Sequence, residues 1–166
     1  SLSKFEKSNT TIKRYIDFKN LINDSNIDAV VIATPVKSHY LIAKYALDNN
    51  KHVFIEKPLS DNSLNCKKLI QLSKKNDLIL FVDHTFLYTD AVNKIKKITS
   101  RSDFGKMLYY DSTRINLGLI QDDVNVLWDL AVHDLSILDF LNKDKPILIS
   151  AVGHKHLNQG LSLLPI

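Results

Sequence analysis

Short apolar runs alternate with longer amphipathic stretches through the first half of the chain. The runs at 29–33, 53–55 and 78–82 are rich in β-branched and aromatic residues, a composition typical of buried strands in a parallel sheet. Between the first two runs, the apolar residues recur with a helical period. This order predicts a βαβ unit over 28–58, with a right-handed crossover between its strands.

The helix of this unit has boundaries that can be read from the sequence. Pro35 ends the first strand, because it has no N–H to donate and it biases Thr34 towards an extended conformation. Asn49 and Asn50 are typical of a helix end, since Asn tolerates the left-handed conformation. The residues expected to face the sheet are Leu41, Ala43, Ala46 and Leu47.

The same patterns predict the remaining elements of the chain. Helices are expected over 18–23, from Ser60 or Asp61 to 75, from Thr89 or Asp90 through the apolar positions up to 98, and over 126–141. Further strands are expected over 12–16, 106–116 and 146–153.

Polar residues that can carry chemistry follow the first two strands of the βαβ unit. Thr34 and Pro35 follow one strand, and Glu56, Lys57 and Pro58 follow the other. Ligands of open α/β sheets bind at the carboxyl ends of the strands, and a lysine facing such a crevice can serve in proton transfer. The alternative for Lys57 is a solvated loop lysine that is paired with Glu56.

A second candidate pair lies on the predicted helix over 126–141. Asp129 and His133 are four positions apart and share a helix face, so that one can grip a substrate hydroxyl while the other exchanges a proton. The alternative is that Asp129 caps the helix and His133 is a core histidine.

These motifs together resemble the glucose–fructose oxidoreductase/inositol dehydrogenase (Gfo/Idh/MocA) family of NAD(P)-dependent enzymes, in its sugar and nucleotide-sugar branch. The resemblance covers almost the whole chain. It is carried by residues 33–35, His39, residues 51–53, residues 56–58, residues 82–88, residues 114–118 and residues 128–134.

The resemblance implies an α/β fold in which a partial Rossmann-like parallel sheet is followed by the start of an α+β substrate domain. Residues 1–86 would be the second part of the NAD(P)-binding domain, and residues 87–166 the first part of a substrate and oligomerisation domain. It also implies NAD or NADP as cofactor, a sugar or nucleotide-sugar substrate and a homo-oligomer.

The resemblance further assigns a function to individual residues. Lys57 would polarise the reacting oxygen, His133 would act as acid/base, and Asp129 would bind the substrate. The expected cofactor contacts are Thr34, Pro35, His39, Glu56 and Lys57, and the expected further substrate contacts are Arg114 and Asn116. The alternatives are a surface position at a helix start for His39 and a sheet-surface position for Arg114.

Composition excludes several other classes of protein. The 166 residues are 45% apolar and carry a net charge of +4 from scattered lysines, without the clustered arginines and interleaved aromatics of a nucleic-acid surface. No apolar run approaches the length needed to span a membrane, and the single cysteine, Cys66, agrees with a reducing cytoplasm. No convincing set of metal ligands is present.

The glycine pattern departs from a complete dinucleotide-binding fold. Such a fold opens with a Gly-x-Gly-x-x-Gly turn, whereas the four glycines here are Gly105, Gly118, Gly153 and Gly160. The chain is therefore expected to be an internal fragment of an oxidoreductase. The rival interpretation is a non-catalytic scaffold that associates through its sheet and does not bind NAD(P).

Overall fold

A three-stranded parallel sheet forms the centre of the chain in the computed structural model, which describes residues 12–114, 124–142 and 144–153. The strands are β1 (Ala29–Ile32), β2 (His52–Glu56) and β3 (Leu80–Asp83), in the order β1-β2-β3. Their register pairs Val31 with Phe54 and Phe54 with Phe81. The parallel α/β sheet predicted from the apolar runs is confirmed.

Three helices accompany this sheet: α1 (Phe18–Ile22), α2 (Val36–Asp48) and α3 (Ser63–Lys75). Of the residues predicted to face the sheet from α2, Ala43, Ala46 and Leu47 are fully buried, whereas Leu41 is exposed. Burial of these small and aliphatic side chains under β1 and β2 makes the hydrophobic effect the main force that holds the crossover helix in place.

Asparagine residues form the helix boundaries in this part of the chain. The helix α2 ends at the predicted position, where Asn50 adopts a left-handed conformation with φ 57°. The helix α3 is capped by Asn62, whose side-chain oxygen accepts hydrogen bonds from the N–H groups of Leu64 and Asn65. The predicted caps, Ser60 and Asp61, were wrong, because only Asn62 places its oxygen over the free N–H groups of the first turn.

The second face of the sheet is only partly covered by the described residues. Val31 is 74% exposed and Phe54 is 37% exposed, so the prediction that these strands are buried on both faces was wrong. Phe54 stacks on Phe81 with 5.1 Å between the ring centroids, and Phe81 contacts Tyr88 at 6.0 Å. These three aromatic rings therefore pack against one another on this face of the sheet.

The predicted strands at 12–16, 106–116 and 146–153 are not strands where the structure describes them; residues 115 and 116 lie outside the described part. Leu108 and Ile147 are 87% and 103% exposed. Apolar alternation suits a strand, but a strand also needs a hydrogen-bonded neighbour, and the described residues provide none for these segments.

The second half of the described chain is helical. A 3₁₀ turn (Thr85–Tyr88) follows β3 and leads to α4 (Asp90–Thr99), which Thr89 caps as predicted. The helix predicted over 126–141 is confirmed as a π-helical turn (Leu127–Ala131) that continues into α5 (Val132–Leu141).

Lys96 joins α4 to the end of α5. Its ammonium donates to the carbonyl oxygens of Phe140 at 2.6 Å and Leu141 at 3.3 Å, and it lies 5.2 Å from the centre of the Phe140 ring. The carbonyls of a last helical turn have no partner within their own helix, so this contact satisfies two of them.

We expect Lys96→Met to lower the free energy of unfolding by about 1.5 kcal/mol, because the hydrogen bonds from a charged donor are lost. Urea unfolding followed by far-UV circular dichroism would measure the change. The matched control is Lys97→Met, since Lys97 is exposed on the same helix. Equal stability of both variants and the wild type would contradict this function of Lys96.

Two features are absent from the described residues. No helix there is long and apolar enough to cross a membrane. No group of three or more His, Cys, Asp or Glu side chains in the same part of the chain is placed to hold a metal ion.

Candidate functional site

The carboxyl ends of the three strands lie side by side at one edge of the sheet. Thr34 and Pro35 follow β1, Lys57 follows β2 and His84 follows β3. The last residues of β2 and β3, Glu56 and Asp83, are register partners. The parallel topology therefore places the polar residues predicted from the strand ends along a common edge, where α/β proteins bind their ligands.

Thr34 and Pro35 remain exposed at this edge. The Thr34 hydroxyl is 2.7 Å from the Ser38 hydroxyl, which donates to the carbonyl of Pro35 at 2.7 Å. These bonds tie the turn after β1 to the first turn of α2. The turn is thus held in place while its outer surface stays open to a ligand.

His39 lies inside this edge and is only 1% exposed. Its Nε2 is 2.8 Å from the carbonyl oxygen of Thr34, and its Nδ1 is 2.8 Å from the carbonyl oxygen of Pro58. The alternative of a surface position for His39 is therefore excluded. Both ring nitrogens face backbone groups, so His39 links the turns after β1 and β2.

Lys57 pairs with Asp129 rather than standing in solvent. Its ammonium nitrogen is 2.9 Å from Oδ1 of Asp129 and 2.8 Å from the Asp129 carbonyl oxygen. The two side chains are 19% and 25% exposed and lie 72 residues apart in the chain. This pair brings the helix over 127–141 to the end of β2, and it replaces the alternative pair of Lys57 with Glu56.

A short π-helical turn presents the Asp129 backbone to Lys57. Asn125 begins the turn, and its side-chain oxygen accepts hydrogen bonds from the N–H groups of Leu127 and Trp128. Such turns widen the helical backbone and are frequent at functional sites. The Asp129 carbonyl accepts from the Lys57 ammonium in this turn.

His133 lies one turn beyond Asp129 and is 8% exposed. Its ring meets the Phe86 ring edge-on, with 4.7 Å between the centroids, and its Nδ1 is buried without a hydrogen-bond partner among the described residues. A buried ring nitrogen without a partner is costly in a core histidine, and it remains available for a proton or a substrate hydroxyl.

Arg114 and Asp134 form a two-pronged ion pair beside this histidine. The guanidinium donates to both carboxylate oxygens at 2.9 and 3.0 Å, and the Ser112 hydroxyl adds a third hydrogen bond at 2.9 Å. The guanidinium also lies 4.8 Å from the centre of the Phe86 ring. Arg114 is thereby fixed near His133, on which its charge acts.

Burial and positive neighbours lower the pKa of His133. Burial is the larger cause, and the charges of Lys57, Arg114 and His84 act in the same direction, while Asp134 opposes them. Burial also lowers the pKa of His84, whose Nδ1 has no hydrogen-bond partner among the described residues. The environment therefore keeps His133 neutral near pH 7 and ready to accept a proton.

Three residues of this site were not predicted from the sequence: Phe86, Asp134, and His84 as a neighbour of His133. Asp134 directly follows His133, and its charge is opposite to that of Arg114. These two features are the sequence signal that could have identified it. Asn116, predicted to bind substrate, lies outside the described residues. Thr34, Glu56, Lys57, Asp129, His133 and Arg114 all lie at or beside the sheet edge.

Comparison with known proteins identifies the family. The model of the oxidoreductase family with an NAD-binding Rossmann fold (Gfo/Idh/MocA) matches residues 2–84, half of the chain. The chain belongs to this family. The family resemblance predicted from the motifs is confirmed, and NAD is the cofactor that the family description names.

Curated relatives within the matched region include named dehydrogenases. The chain is 28% identical over 130 residues to a UDP-N-acetylglucosamine 3-dehydrogenase of Acidithiobacillus ferrooxidans, covering 78% of this chain and 40% of that protein. It is 28% identical over 134 residues to a myo-inositol 2-dehydrogenase of Thermotoga maritima, with the same coverage. The chain thus spans about 40% of the length of these relatives.

A solved structure gives the same fold assignment. The crystal structure of an oxidoreductase from Bacteroides fragilis matches with a TM-score of 0.69 and 28% identity, over 85% of this chain and 40% of that one.

Polar strand-end residues are available at the sheet edge for the NAD that the family description names. Thr34 and Pro35 are exposed, and Glu56 and Lys57 adjoin them at the same edge. The glycine-rich turn that holds the pyrophosphate in this fold is not among the 166 residues. His39 fits as a support for Thr34, since both of its ring nitrogens face backbone carbonyls.

Proposed function

We propose that this chain carries the proton-handling part of the active site of an NAD(P)-dependent oxidoreductase that acts on a sugar or nucleotide sugar. The observation that supports this most directly is the contact of Lys57 with Asp129 at 2.9 Å, with the buried His133 one helical turn away. Names of the curated relatives favour a polyhydroxylated substrate. The proposal includes the boundary between the two domains, with the NAD(P)-binding part ending at residue 86 and the substrate part beginning at residue 87.

Lys57 would hold the reacting oxygen. An ammonium has three N–H donors, and Asp129 takes two of them in the structure. The third N–H has no partner among the described residues, and it can donate to the substrate oxygen as it becomes a carbonyl. Asp129 fixes the direction of that donor, and its second carboxylate oxygen can accept a hydrogen bond from a neighbouring hydroxyl.

His133 would take the proton that the substrate hydroxyl loses. A neutral imidazole is needed for this step, and burial together with the charge of Lys57 lowers the pKa of His133 in the required direction. The nicotinamide, when bound, accepts or supplies the hydride. In the reverse direction, the protonated His133 returns the proton to the carbonyl oxygen.

Arg114 and Glu56 would complete the site. Arg114 is held by Asp134 and lies over the Phe86 ring, and a phosphate or carboxylate of the substrate could share its guanidinium. Glu56 would lie beside the nicotinamide amide. Asn116 is proposed as a further substrate contact from the family resemblance.

Titration with NADH and NADPH, followed by nicotinamide fluorescence, tests the cofactor part of this proposal. We expect saturable binding in the micromolar range, weakened in Lys57→Met and unchanged in Lys44→Met, since Lys44 pairs with Asp48 on the outside of α2. Identical binding by wild type and Lys57→Met would remove Lys57 from the cofactor site. No saturable binding would contradict cofactor binding by this chain.

A second candidate function is a scaffold that associates with a further copy of the chain through its sheet. The exposed face formed by Val31, Phe54 and Phe81 favours it, because parallel sheets are ordinarily covered on both faces. Sedimentation velocity distinguishes the two candidates, since a scaffold would self-associate without binding NAD(P)H. A homo-oligomer that binds the cofactor would favour the oxidoreductase and contradict the scaffold.

A further inference from the structure

His39 contacts two hydrogen-bond acceptors at once. Its ring lies between the turn after β1 and the turn after β2, 2.8 Å from the carbonyl oxygen of Thr34 through Nε2 and 2.8 Å from that of Pro58 through Nδ1. The side chain is 1% exposed, so water does not take the place of either carbonyl. Pro58 is buried as well.

A neutral imidazole cannot satisfy both contacts. A carbonyl oxygen only accepts hydrogen bonds, and a neutral ring has one N–H and one lone pair. The singly protonated ring would therefore direct its lone pair at a carbonyl oxygen within hydrogen-bond distance, in a buried position where such repulsion is not screened. Only a ring with protons on both nitrogens donates to both carbonyls.

We infer that His39 donates from both ring nitrogens as a positively charged clamp, which joins the Thr34 turn to the Lys57–Pro58 turn and sets the position of Lys57. It is a positioning residue, because its ring is buried and both of its nitrogens face backbone carbonyls. Its consequence for catalysis rests on the proposed function of Lys57. Its protonation rests on the geometry of the ring and its two carbonyls alone.

His52 of the same βαβ unit shows the opposite arrangement. Its Nδ1 accepts a hydrogen bond from the backbone N–H of Ile79 at 3.0 Å, so that nitrogen carries a lone pair and no proton. The ring of His52 therefore holds a single proton in this structure. His52 is therefore an internal control for His39, because the partners of His39 require two ring protons and the partner of His52 requires an unprotonated Nδ1.

Charged groups occur on each element that His39 touches. Lys37 lies on α2, Glu56 and Lys57 lie at the end of β2, and Asp61 follows in the segment before α3. Burial of a charge is costly, but two charge-assisted hydrogen bonds offset part of that cost.

Side-chain NMR of the ¹⁵N-labelled full chain, without cofactor or substrate, tests this inference. Long-range ¹H–¹⁵N correlation at about pH 7.5, where a solvated imidazole carries one proton, distinguishes rings with one and two protonated nitrogens. We expect two protonated nitrogens in His39 and one in His52. A singly protonated His39 at this pH would overturn the inference.

The positioning effect is read from backbone amide signals. In His39→Gln we expect shifts at Lys57 and Leu59, on both sides of Pro58, and in His52→Gln we expect none there. Unchanged signals at both residues would show that His39 does not set the position of Lys57. The wild-type NMR measurement needs no variant and no cofactor, so its result is independent of folding of His39→Gln and of the NADH titration.

Discussion

Lys57→Met should lower turnover by about 10²–10⁴-fold in any form of the protein that turns over NAD(P)H, the range typical for loss of a group that takes part in proton transfer. Methionine keeps much of the length of the side chain but removes all three N–H donors. The substrate oxygen would lose its hydrogen bond, and Asp129 would lose the ammonium that fixes it. Steady-state kinetics at saturating cofactor would measure the change, mainly as a fall in kcat.

The control for Lys57→Met is Lys44→Met. Lys44 also pairs with an aspartate, but on the outer surface of α2, and it should leave turnover unchanged. Circular dichroism of both variants would check that the fold is retained. Wild-type turnover in a folded Lys57→Met variant would remove Lys57 from the mechanism.

Lys57→Met should also raise the pKa of His133. The positive charge of Lys57 is the second cause, after burial, that lowers the pKa of His133. Its removal should therefore raise that pKa towards the ordinary value of about 6.5, which side-chain NMR of His133 would detect without substrate or cofactor. An unchanged pKa would contradict the proximity of the two charges.

His133→Gln is expected to lower turnover to a similar extent, about 10²–10⁴-fold, because glutamine cannot take the proton of the substrate hydroxyl. Turnover of the wild type in the oxidative direction should fall as the pH drops through the lowered pKa of His133, since protonation removes the base. His133→Gln should lack this acidic limb. A retained limb in the variant would assign it to another group.

The free energy of unfolding should also depend on the protonation of His133. The folded pKa of His133 is lower than its unfolded pKa of about 6.5, so the folded chain binds fewer protons. The contribution of neutral His133 is therefore present above about pH 6.5 and is lost as the pH falls through the folded pKa. For the turnover of His133→Gln, the control is His52→Gln, because His52 lies at the amino end of β2 and should not affect turnover.

Local sequence patterns predicted the elements that later carry the site. The apolar runs and the proline and asparagine boundaries predicted the βαβ unit, and Lys57 was placed at a strand end because the residues before it form a strand. Asp129 and His133 were paired from their spacing of four, which places side chains on one helix face in any helix. These features depend on neighbours in the chain, so sequence order contains them.

The strand predictions outside the sheet were wrong because a strand depends on a partner that can be distant in the sequence. Residues 106–114 and 146–153 have apolar residues suited to strands, but their backbone groups find no neighbouring strand among the described residues. The predicted burial of Val31 and Phe54 also depended on a covering layer, which the described residues provide only in part. Periodicity reports which residues can be buried, and not which element is available to bury them.

The sequence by itself determined the fold class, the family and the identity of Lys57, Asp129 and His133 as candidate residues. Only the tertiary structure decided their partners: Asp129 for Lys57, Asp134 for Arg114, and two backbone carbonyls for His39. The physical reason is that hydrogen bonds and ion pairs form over about 3 Å in space, whereas these partners are up to 72 residues apart in the chain.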